Sequence, residues 1–117
     1  MRCMILALGL LLPTFAAAGD AMVERVKASE SGNVWIFSVT INHGDTGWDH
    51  YADGWGVYLE DGTELGYRVL AHPHVNEMPF TRSLSGVKIP ADVSTVYIIA
   101  RDSVHGVSDI KVPVKLK

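Results

Sequence analysis

Val34-Trp35-Ile36-Phe37-Ser38-Val39-Thr40-Ile41-Asn42 is the stretch that decides the fold. Successive side chains of an extended chain point to opposite faces, so Trp35, Phe37, Val39 and Ile41 share one side while Ile36, Ser38, Thr40 and Asn42 share the other. β-Branched and aromatic residues dominate both sides, as a pleated, half-buried surface requires. The run therefore predicts a strand with Trp35, Phe37, Val39 and Ile41 in the core.

The same alternation extends outward in both directions, punctuated by Gly, Asp, Asn and Pro every ten residues or so. A short strand over 22–29 precedes it. Residues 54–60 follow, burying Trp55, Val57 and Leu59. Asp61-Gly62 is a tight hairpin signal, because the turn needs positive φ, and 64–72 returns antiparallel. Strands over 80–89, 95–101 (Val96, Ile98 and Ala100 inward) and 110–116 complete the set. In the last of these Lys111, Pro113, Lys115 and Lys117 alternate with Val112, Val114 and Leu116, and lysines with a proline protect a sheet edge from pairing with other chains. No helix is predicted. Seven antiparallel strands in about a hundred residues predict an all-β, immunoglobulin-like or fibronectin-type β-sandwich with Trp55 as its buried core Trp.

The chain has 117 residues, 48% hydrophobic and 20% charged, with a formal charge of −3 and a single cysteine. This is one domain's worth of chain. A net acidic balance supplies no basic stripe for phosphates, so nucleic acid is not an expected partner. Residues 1–18 carry Arg2, an apolar run and a closing Ala16-Ala17-Ala18, which predicts a cleaved signal peptide, leaving 19–117 as the single domain. Pro13 breaks the apolar run short of the ~20 residues a membrane span needs, so no span is expected after cleavage. The expected setting is periplasmic or secreted. Cleavage removes Cys3, which excludes thiolate ligands, disulfides and cysteine nucleophiles from the mature domain.

Counting strand reversals places all five histidines at one end of the sandwich. His43 and His50 fall in the loop after the decisive strand, His72 and His74 bound the next loop at that end, and His105 lies in the third. Asp45, Asp49, Asp53, Glu77, Met78 and Asp102 share these loops. Neutral imidazoles with carboxylates suit Zn²⁺ or Cu²⁺, and the expected cofactor is a copper or zinc ion. In His72-Pro73-His74 an extended i, i+2 pair projects both rings to one side, and the proline stiffens the chain between them. The expected ligand set is His50, His72, His74 and His105, with Glu77 or Asp102 as a further ligand or an outer hydrogen-bond partner. A loop histidine is more often merely solvated. His43, beside Gly44 and Asp45, reads as a turn residue, and Met78 as a gap-filling apolar residue.

Residues 48–55 crowd Trp48, Tyr51 and Trp55 around His50, Asp49 and Asp53. Trp48 and Tyr51 either cap the open end of the sandwich or anchor an exported protein partner or a glycan. Arg82 has the parity of Phe80 and Leu84, so it is expected to point inward toward a carboxylate such as Asp102 or Glu77. Ser103 has no nucleophile elbow around it, so a hydrolytic triad is not expected. Residues 48–53 (WDHYAD), 72–82 (HPHVNEMPFTR) and 102–106 (DSVHG) resemble segments of a group of small, uncharacterised exported bacterial proteins. The resemblance implies an exported setting and no particular reaction. A metal carrier, buffer or accessory protein is the function these features favour, ahead of an interaction module and of an enzyme.

Overall fold

The decisive stretch forms β2, Val34–Asn42, in the computed structural model, which describes residues 20–117. The signal-peptide reading and Cys3 lie outside the described residues. Trp35, Phe37, Val39 and Ile41 are all buried, as alternation requires. Thr40 is buried too, from the opposite face, where its hydroxyl meets that of Thr81 at 2.8 Å.

Eight strands and no helix occur among the described residues. They form two antiparallel sheets. One holds β1 (Met22–Ser31), β2 and β5 (Phe80–Val87) in the order β1-β2-β5. The other runs β4 (Glu64–Val69), β3 (Ala52–Tyr58), β6 (Thr95–Asp102), β7 (Gly106–Val107), and β8 (Val112–Lys115) also pairs with β6. The expected count of seven is corrected to eight because a short strand, β7, forms within the loop expected over 102–109, ahead of the last strand. β7 pairs with Arg101 and Asp102, whereas β8 pairs with residues Thr95 to Ile98, and the chain between them leaves the ladder. Strand ends also shift: β3 starts two residues early at Ala52, and β4 stops at Val69 instead of continuing to His72.

The inner faces meet in one cluster, with Phe37, Val39 and Ile41 from the first sheet packed with Trp55, Val57, Val96, Ile98 and Ala100 from the second. Each fully buried side chain of this size contributes roughly 1.5–3 kcal/mol. Asp61-Gly62 makes the expected hairpin: Gly62 has φ +94°, and Asp61 Oδ1 accepts from the Thr63 amide at 3.0 Å. β3 and β6 are the central strands of their sheet, and β2 is central in the other. The loops leaving β2 and β6 carry the site described next.

Candidate metal centre

Past the last residue of β2 the chain keeps the period of two, and His43 and Asp45 fall on the same inward side as Val39 and Ile41. Both are buried. His43 Nδ1 lies 2.6 Å from Asp45 Oδ1, a contact in which the ring donates to the carboxylate, and Nε2 is turned toward His50. Asp45 is held in turn by the Ala52 amide on Oδ1 at 3.0 Å and by the His74 amide on Oδ2 at 2.9 Å. One carboxylate thus ties together the loop after β2, the start of β3 and the loop before β5.

His50 is brought back toward His43 by a tight turn. The Thr46 amide donates to the His50 carbonyl at 3.0 Å, and Gly47, with φ +141°, allows the reversal. His50 Nε2 lies 3.2 Å from His43 Nε2 and 3.1 Å from Asp102 Oδ1. The Asp102 side chain is fully buried at the end of β6. The loops after β2 and β6 are fastened to each other by Ser103, whose amide donates to the Tyr51 carbonyl at 2.9 Å while its hydroxyl accepts from the Tyr51 amide at 3.0 Å. This is the work Ser103 does.

Asp102 is heavily solicited. Its Oδ1 accepts from the amides of Val104 at 2.9 Å and His105 at 2.7 Å, and His105 Nδ1 is 3.1 Å from both oxygens. Burial alone would raise the pKa of this carboxyl, but those two amides and the His105 ring outweigh it and hold the pKa below the usual carboxylate range. Asp102 is therefore anionic at neutral pH.

His43, His50 and Asp102 each offer a ligand atom within 4.8 Å of the others, and so do Asp20, Asp102 and His105. The expected ligands His50, Asp102 and His105 thus come together, joined by Asp45 of the same loops and by His43, which reads in the sequence as a turn residue. The signal was present in the continuing alternation beyond Asn42.

His72 and His74 stand apart from this group. Their rings lie side by side, with centroids 4.5 Å apart. His72 is exposed, with Nδ1 directed at the Pro73 carbonyl, while His74 is buried, stacks on Phe80 at 3.9 Å and accepts from Arg82 on Nε2 at 3.1 Å. Burial, the Arg82 cation and His72 hold the His74 pKa below the usual histidine range, against a weaker opposite pull from Glu77 and Asp45. Arg82 meets the His74 imidazole, the Thr81 carbonyl and the Phe80 ring instead of the expected carboxylate of Asp102 or Glu77, its guanidinium donors being taken up by these partners on and beside its own strand. Glu77 is exposed, and Met78 packs against the core. Trp48 is 68% exposed at the tip of the His50 turn and meets Tyr51 edge-on at 5.5 Å; it does not cap the core.

Fold and site together define an all-β module with a histidine-carboxylate cluster at one end. It is similar to a protein of Halomicrobium mukohataei named "Putative lipoprotein", with 39% identity over 85 residues, which are 73% of this chain and 41% of that protein. The chain thus spans about two fifths of the relative it matches. No family model and no solved structure matches it. Among the described residues no helix is long and apolar enough to cross a membrane.

Proposed function

We propose that the protein binds a transition-metal ion, copper or zinc, between His43 Nε2, His50 Nε2 and Asp102, and serves as an exported carrier, buffer or accessory protein. The observation that carries this is the convergence of those atoms, at 3.2 Å between the two imidazole nitrogens and 3.1 Å from His50 to Asp102. With bonds of about 2.0–2.1 Å, neighbouring ligands of a tetrahedral zinc ion are about 3.3–3.4 Å apart. Two of the three donor separations are therefore close to coordination spacing before any ion arrives, and the third lies within 4.8 Å. Asp45 behind His43 is the outer carboxylate that fixes the tautomer of a metal-bound imidazole. With the metal bound, His50 carries its proton on Nδ1, and the ion takes the place of the hydrogen between His50 and its neighbours.

Two neutral imidazoles and one carboxylate suit a divalent ion of intermediate softness. The exported setting draws support from the name of the similar protein, together with the signal-peptide pattern of residues 1–18. The strand orders, three against five around one shared core, support the immunoglobulin-like or fibronectin-type assignment. The test is calorimetric titration of the metal-free, untagged protein with Cu²⁺ and Zn²⁺. Tight binding that falls at least a hundredfold in the His43→Ala/His50→Ala double variant supports the proposal. Binding unchanged in that variant, or lost only in His72→Ala/His74→Ala, overturns it.

One observation favours a second reading. Trp48 is a large aromatic left in solvent beside Tyr51, an arrangement suited to stacking on a glycan or anchoring an exported protein partner. A glycan array with the wild type and Trp48→Ala tests it, and equal blank profiles would sink the glycan form.

A further inference from the structure

We propose that Asp102 bridges two cations, the second held by His105, Asp20 and the outer oxygen of Asp102; this rests on the inner site just described. The two candidate triads, His43/His50/Asp102 and Asp20/Asp102/His105, have Asp102 in common and no other residue. A carboxylate shared by two donor sets is the connection expected of a dinuclear centre, whose ions sit roughly 3.5–4 Å apart.

The two oxygens of Asp102 are differently placed. Oδ1 faces His50 Nε2, and the amides of Val104 and His105 fix it there. Among the described residues Oδ2 has the His105 ring alone, at 3.1 Å. The second ion therefore takes Oδ2 and His105 Nδ1 with no change in their spacing, since cis ligands on bonds of about 2.0–2.1 Å are about 2.9–3.4 Å apart. Asp20 Oδ1 is 3.9 Å from the same Nδ1, so it closes by roughly half an ångström. Its side chain is 36% exposed and lies just before β1.

The two halves differ in exposure. The His43 and Asp102 side chains are within 1% of fully buried and that of His50 is 14% exposed, whereas that of His105 is 43% exposed. The inner ion has a largely buried shell. The outer ion draws its remaining ligands from water and binds against the charge of the first, with Asp20 as its own countercharge. Occupation is sequential, inner before outer, with the second step at least tenfold weaker.

The experiment is native mass spectrometry of the metal-free protein titrated with Zn²⁺, paired with electron paramagnetic resonance at one and two equivalents of Cu²⁺. Two ions are expected on the wild type. One is expected on Asp20→Asn, with the first step within threefold of wild type, and one on His105→Gln; on the wild type the second copper is expected to broaden and diminish the signal of the first through coupling. A single equivalent on the wild type overturns the bridge and leaves the inner site standing, as does a second equivalent indifferent to both substitutions. Absence of all binding removes the inner site and this inference with it.

Discussion

His43 Nδ1 and Asp45 Oδ1 are 2.6 Å apart with both side chains fully buried, the tightest polar contact of the histidine cluster. Asp45 also accepts the amides of Ala52 and His74, so this carboxylate orients a proposed metal ligand and closes three backbone segments at once. Asp45→Asn keeps the shape, removes the charge and turns an acceptor into a donor. We expect metal affinity to fall about 10–100-fold, the usual cost of losing an outer carboxylate. Stability should fall by about 1–3 kcal/mol from the poorly satisfied buried groups. Calorimetry and urea unfolding of one sample separate the two effects, and an affinity within twofold of wild type would show that Asp45 is purely architectural.

The strands were legible because their alternation is local. Trp35 to Ile41, Trp55 and Val57, and Val96 to Ala100 all bury the side that period two assigns to them. The short strand β7 was not, because Gly106 and Val107 pair with β6 through contacts that no short-range pattern records. The end of the fold where the histidines gather followed from counting reversals. Which of them meet depends on the trajectory of each loop. His43 was hidden by its neighbours Gly44 and Asp45, whose turn chemistry masked its inward parity. His72 and His74 have the more conspicuous spacing, yet Arg82 and Phe80 engage His74 through packing that spacing does not encode.

His74 makes stability pH-dependent in a direction that can be worked out. Its folded pKa is depressed by burial, by Arg82 and by His72, with Glu77 and Asp45 opposing. An unfolded histidine takes up its proton near about 6.5. Below that pH the unfolded state binds a proton that the folded state declines, so the stabilisation present above about 6.5 is lost as pH falls toward the folded pKa. Urea midpoints at pH 7.5 and 5.0 should therefore drop further for the wild type than for His74→Gln. Equal drops would place the His74 pKa at its ordinary value.

Trp48 and Trp55 are seven positions apart and energetically opposite. Trp55 is fully buried in the shared core and Trp48 is 68% exposed. Trp55→Ala should cost about 3–5 kcal/mol, a large-to-small change in a packed interior. Trp48→Ala should stay within about 0.5 kcal/mol of wild type, as exposed positions do. Thermal melts of both variants check this. A loss above 2 kcal/mol at Trp48 would mean that the ring braces the His50 turn.

Gly54 is a glycine for steric reasons, not conformational ones. It pairs with Val69 and Arg101 in the middle of β3, and a Cβ built on it would overlap the hydroxyl end of Tyr67, which lies across it from β4. The overlap includes the ring carbon that carries the hydroxyl, at 2.5 Å, so removing the oxygen alone relieves too little. Gly54→Ala should destabilise by about 1–3 kcal/mol, the range for an overpacked interior. Tyr67→Phe should not rescue it, whereas Tyr67→Ala should recover most of the clash in a double-mutant cycle, because the two sites are in contact. Additive effects of Gly54→Ala and Tyr67→Ala would show that the tyrosine swings clear at little cost.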